Sequence, residues 1–190
     1  MFFLPLTGDR AMKPVLGVAV LAVLALPAVA RAQESMGPLA TVLKGRATAY
    51  ARNMGGAADS MPAEKYGWKP SPAQLSFGEI IAHEAESNET LCGAIAGGAQ
   101  TPTESPAGAT APKDQLVARI KKSFEYCGNV VAQLKEAGLG DSVPFFGGRK
   151  ATRARAVIAL VADWADHYAQ AAMYLRANGI LPMSAQPRRP

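Results

Sequence analysis

Asp163 and His167 stand four residues apart in the segment Asp163-Trp164-Ala165-Asp166-His167-Tyr168-Ala169-Gln170. Four residues is about one helical turn, so on a helix both side chains project from one face toward a common point. A carboxylate oxygen and an imidazole nitrogen are donors that a divalent cation accepts. The chain has only two histidines, and the other is His83, in Phe77-Gly78-Glu79-Ile80-Ile81-Ala82-His83-Glu84. Two helices packed side by side would assemble His83, Asp163 and His167 into a His/Asp/His metal site. The same spacing also describes an ordinary solvated pair on a helix, so it defines a geometry to look for rather than a ligand set.

The elements that must position these residues read as helices. Met36 to Met54 carries Leu39, Val42, Leu43, Ala47, Tyr50 and Ala51 at spacings of three and four, and Gly55-Gly56 is the expected stop. Ser60 to Pro72 is a proline-punctuated connection whose Tyr66 and Trp68 are expected to fold back onto the core. A second helix runs from Pro72 or Ser76 to Ile95, with Phe77, Ile80, Ile81, Glu84, Leu91 and Ile95 as its stripe, and His83 beside that stripe. Gly97-Gly98 ends it, and the Thr-, Pro-, Ala- and Gly-rich stretch 99–112 reads as an exposed, mobile loop. A third helix spans Pro112 to Ala137, with Leu116, Val117, Ile120, Phe124, Cys127, Val131 and Leu134 turned inward. After a loop containing Phe145-Phe146, placed to cover the bundle mouth or plug the core, the last helix runs from Thr152 to Asn178, with Gly179 and Pro182 beyond it. No segment alternates as a strand does. The fold class is therefore all-α, a four-helix bundle over residues 36–182 with a disordered tail at 183–190.

The amino-terminal region reads differently. Lys13 precedes an apolar run from Val15 to Leu26, and small residues follow at Ala28, Ala30 and Ala32, which is the pattern of a secretory signal peptide cut after Ala30 or Ala32. Residues 1–32 are thus a signal peptide with an upstream extension before Met12. The run is too short for a comfortable membrane span, and no stable span is expected after processing. The net charge of +5 falls with the loss of Arg10, Lys13 and Arg31 against Asp9, and the remaining basic residues form no nucleic-acid footprint. Export to a periplasmic or extracellular space gives the two cysteines an oxidising compartment. Antiparallel packing of the second and third helices would bring Cys92 and Cys127 together as a disulfide; two buried free thiols are the alternative.

Two segments resemble the DinB family, also called DinB/YfiT-like metalloenzymes. One is Trp68-Lys69-Pro70-Ser71-Pro72 leading into Ser76-Phe77-Gly78-Glu79 and His83. The other is His167-Tyr168-Ala169-Gln170 continuing through Tyr174-Leu175-Arg176-Ala177-Asn178-Gly179 to Pro182. The resemblance implies a four-helix bundle holding a divalent metal on three histidines, one from the second helix and two from the fourth. His83 matches the first of these and His167 the last. Asp163 stands where the family has its middle histidine, and Ala169 where it usually has glycine. A two-His, one-carboxylate set remains acceptable to zinc, nickel, iron or manganese.

Three protein ligands leave coordination positions open for water or substrate. The resemblance then implies a divalent-metal-dependent hydrolase or a thiol-dependent transferase acting on a small molecule. Glu79, one turn before His83, and Gln170, one turn after His167, are auxiliary candidates by position, with a solvated helix charge as the other reading of Glu79. A non-enzymatic exported bundle is the competing reading, a small-molecule binder or structural homodimer whose metal site has degenerated. Neither a phosphate-binding glycine loop nor a G-x-S-x-G elbow is present, which counts against nucleotide chemistry and the common serine-hydrolase plan.

Overall fold

Ser76 opens the helix that carries His83 through a reciprocal capping box. Its hydroxyl accepts from the Glu79 amide, and the Glu79 carboxylate accepts from the Ser76 amide at 2.6 Å. In the computed structural model, which describes residues 37–98 and 110–187, this helix is the second of four. They are α1 (Pro38–Ser60), α2 (Phe77–Ala96), α3 (Lys113–Ala132) and α4 (Arg153–Ala177). Gly97 ends α2 in the left-handed region at φ 81°, where a side chain would be strained. Thr152 caps α4, its hydroxyl accepting from the Arg155 amide.

Helix directions follow from the pairs that touch. Asn88 meets Ser123 and Cys92 is bonded to Cys127, so the numbers rise together and α2 and α3 run parallel. By contrast, His83 lies against His167, Asn88 against Trp164 and Ile95 against Arg153, so α2 and α4 run antiparallel. Each of α1 and α2 packs on both α3 and α4. The disulfide therefore forms as expected, with a Cα separation of 5.4 Å, but between parallel helices rather than the antiparallel pair the sequence suggested. The connection over residues 97–112 makes this feasible: extended chain covers about 3.3 Å per residue, ample to return along a helix about 30 Å long.

Other expectations change in detail. Helix α1 does not stop at Gly55-Gly56 but continues to Ser60, before Pro62. Gly56 serves an approach instead, since a Cβ there would overlap the Met183 side chain. Met183 belongs to a short 3-10 turn, Met183–Ala185, whose Ser184 bonds the Tyr168 hydroxyl, so residues 183–185 are docked on the bundle where the sequence suggested a disordered tail; residues 188–190 lie outside the described residues. Helix α3 ends at Ala132 rather than Ala137, and Glu136 in the turn that follows accepts from the Leu39 and Ala40 amides at the start of α1. A two-stranded antiparallel hairpin, β1 (Ser142–Pro144) and β2 (Lys150–Thr152), leads into α4 where no strand was expected. At three residues each, these strands are too short to show a period. Their loop leaves Phe146 exposed and Phe145 half-buried against Arg155. The expected signal peptide, the start of the first helix at Met36 and most of the loop after Gly98 lie outside the described residues.

Trp164 sits at the centre of the core, fully buried between Tyr50 and Phe124, with its indole N–H donated to the Asn88 side-chain oxygen at 2.6 Å. Tyr66 and Trp68 do fold back. Tyr66 packs edge-on to Phe77 and donates its hydroxyl to the Ala58 carbonyl, while Trp68 meets Tyr174. Among the described residues no helix is long and apolar enough to cross a membrane.

Candidate metal centre

The side-by-side packing of α2 and α4 meets the condition on which the sequence pattern depended. One donor atom from each of His83, Asp163 and His167 lies within 4.8 Å of the others. The two imidazole rings are 4.8 Å apart between centroids and tilted by 52°. Their burial is graded: His83 is exposed, Asp163 half-buried and His167 buried, so the group opens to solvent on the His83 side. His167 Nδ1 lies 3.0 Å from the Asp163 backbone carbonyl. A carbonyl oxygen only accepts, so this contact is a hydrogen bond when Nδ1 carries the ring proton, and Nε2 then keeps a lone pair for a cation.

A fourth group stands behind these three. Glu84 follows His83 on α2, rotated about 100° onto the buried stripe, and is completely inaccessible. Its Oε2 is 3.4 Å from His167 Nδ1, and Asp163 Oδ1 is 3.5 Å from the same nitrogen. With both carboxyls ionised, the two Glu84 oxygens and Asp163 Oδ2 are buried with no hydrogen-bond partner. Burial foremost, then the Asp163 charge, a hydrogen bond with Asp163 and the Asp166 charge, hold the Glu84 carboxyl well above the usual carboxylate range. Two ionised carboxylates have no donor to offer each other; a proton on Glu84 supplies one. The unpartnered oxygens and converging imidazoles suit a divalent cation, with His83, Asp163 and His167 as its holders.

The DinB superfamily model matches residues 48–171, about two-thirds of the chain and a span that includes all three of these residues. The chain belongs to the DinB superfamily. The fold agrees with crystal structures of two DinB-like proteins. One, from Bacillus subtilis, has a TM-score of 0.61 at 21% identity, covering 77% of this chain and 99% of that one. The other, from Bacillus cereus, has a TM-score of 0.61 at 12% identity, covering 77% and 95%. No curated protein matches the chain.

Within this DinB-family site, the auxiliary candidates have other engagements. Glu79 closes the α2 capping box, and its backbone hydrogen bond to Ser76 lowers its pKa. Gln170 donates to Asp166 at 3.1 Å on the exposed face of α4. Glu84 is the member of this cluster that sequence reasoning missed; it counted only as part of the helical stripe. A glutamate occupying an apolar-stripe position was itself the signal. A separate cavity of about 560 Å³ lies at the far end of α2, where Arg153 is already paired with Asp141.

Proposed function

We propose that this chain is an exported DinB-family protein that binds one divalent cation through His83, Asp163 and His167 and uses it on a small-molecule substrate. The observation that carries this reading is the convergence of those three donors beside a buried, unpartnered Asp163 oxygen. A bound zinc, nickel, iron or manganese ion would supply Lewis acidity, suited to hydrolysing an amide or ester or to transferring a thiol to an electrophile. The protein's own contribution is positional. Helix α4 fixes Asp163 and His167 one turn apart, the Asp163 carbonyl orients the His167 ring, and the exposed His83 edge leaves an approach for substrate. The disulfide supports export, because such bonds persist in oxidising compartments.

A degenerate site would be expected to tie Asp163 to a lysine or arginine. Among the described residues it faces His167 and Glu84 instead, which favours the metal reading over the non-enzymatic one. The test is metal analysis and titration of the full chain purified without chelator, followed by assays of ester and amide hydrolysis and of thiol addition to an electrophile. Stoichiometric metal with one of these activities, both lost in His83→Ala, is the expected result. Failure to take up zinc, nickel, iron or manganese would establish the non-enzymatic bundle.

A further inference from the structure

We propose that Glu84 is a positioning residue of the cation site, a fully buried carboxyl group that backs the His167 imidazole on the side away from solvent. This rests on the reading of His83, Asp163 and His167 as cation ligands. Glu84 lies on the inner stripe of α2 among Ile80, Ile81, Ala85 and Asn88, with no exposure. No amide, hydroxyl or ring N–H donates to its oxygens, and Oε2 lies 3.4 Å from His167 Nδ1. With the Nδ1 proton given to the Asp163 carbonyl, Nε2 carries the lone pair for a cation, so Glu84 acts through the imidazole rather than as one of the three converging donors.

A residue serving only to pack this position would be apolar. A buried carboxylate without a compensating group is costly to the fold and keeps its place only where another charge or donor answers it. Glu84 therefore has a distinctive signature: it is costly to the cation-free fold and, from its place behind His167, helpful to the loaded one.

The experiment compares the full chain with its Glu84→Gln and Glu84→Leu variants. Zinc chloride and manganese chloride are titrated in competition with a chromophoric chelator, and thermal unfolding is followed with and without metal. Glu84→Gln should weaken binding of both ions by about 10- to 100-fold, while the midpoint of the metal-free protein rises. A merely structural residue would lower that midpoint instead. Unchanged affinity in Glu84→Gln with normal binding by the unsubstituted chain overturns this inference alone. Failure of both variants to fold, or a lower metal-free midpoint in both, shows that the carboxylate serves the fold and also overturns it. Failure of the unsubstituted chain to bind either ion removes the metal reading and this inference with it.

Discussion

Glu84 and Asn88 lie one turn apart on the same buried face of α2, and both are fully inaccessible. Their surroundings are opposite. Asn88 accepts from Trp164 Nε1 at 2.6 Å and donates to Ser123 Oγ at 3.0 Å, and Ser123 donates onward to the Ile120 carbonyl. The Cys127 sulfur lies 3.5 Å from its carbonyl and side-chain oxygens. Asn88 thus ties α2 to α3 and α4 with its side-chain polar atoms satisfied. Glu84 accepts from no amide, hydroxyl or indole donor and faces a second acid. A satisfied buried network specifies a fold, whereas an unsatisfied one marks a place where something else is expected to arrive. On this helix, one turn separates a satisfied buried polar residue from an unsatisfied one.

The comparison can be broken most severely at the ligands. His83→Ala or His167→Ala should abolish zinc, nickel and manganese uptake measured by titration, whereas Asp163→His, which restores the family's three-histidine set, should retain or tighten it. Loss of uptake in Asp163→His would mean that the carboxylate at this position is essential.

On the structural side, replacing Cys92 and Cys127 by serine should cost about 2 to 4 kcal/mol in denaturant unfolding. Metal affinity should stay within a few-fold, because the disulfide joins α2 to α3 and leaves the α2–α4 face intact. Asn88→Ala should follow at about 2 kcal/mol, since it strands the buried indole N–H of Trp164.

The smallest effect separates the two residues most sharply. Burial and Asp163 raise the Glu84 pKa above its ordinary 4.5. The folded state therefore binds this proton more tightly than the unfolded chain does. The associated stability is fully present below pH about 4.5 and is lost as pH rises through the folded value. The metal-free protein should accordingly lose stability with rising pH over that window. Glu84→Gln should flatten this slope and gain about 1 kcal/mol at neutral pH. Asp163, Asp166 and His167 surround the same carboxyl, so the slope is read as a difference between variants. An equal slope in Glu84→Gln would rule out Glu84 as its source.

The local pattern determined most of the helical plan. Stripes at three- and four-residue spacing, Ser76 with Glu79, Thr152, and the glycines at 97 and 179 act within a turn or two of the chain, so the limits of α2 and α4 could be read directly. The same is true of Asp163 and His167, because one turn of one helix fixes their relation. Tertiary structure decided what depends on distant partners. The Gly55-Gly56 pair looked like a stop, yet Met183 makes it a docking surface. Residues 183–185 looked like tail until Tyr168 and Ser184 met. The parallel course of α2 and α3 could not be read from either stripe, since an amphipathic face looks the same in both directions. His83 joins its partners only because α2 lies beside α4, and Glu84 acquires its raised pKa from neighbours about 80 positions away in sequence. Helical periodicity records which face of a helix is buried; only packing settles which charges share that face and whether anything answers them.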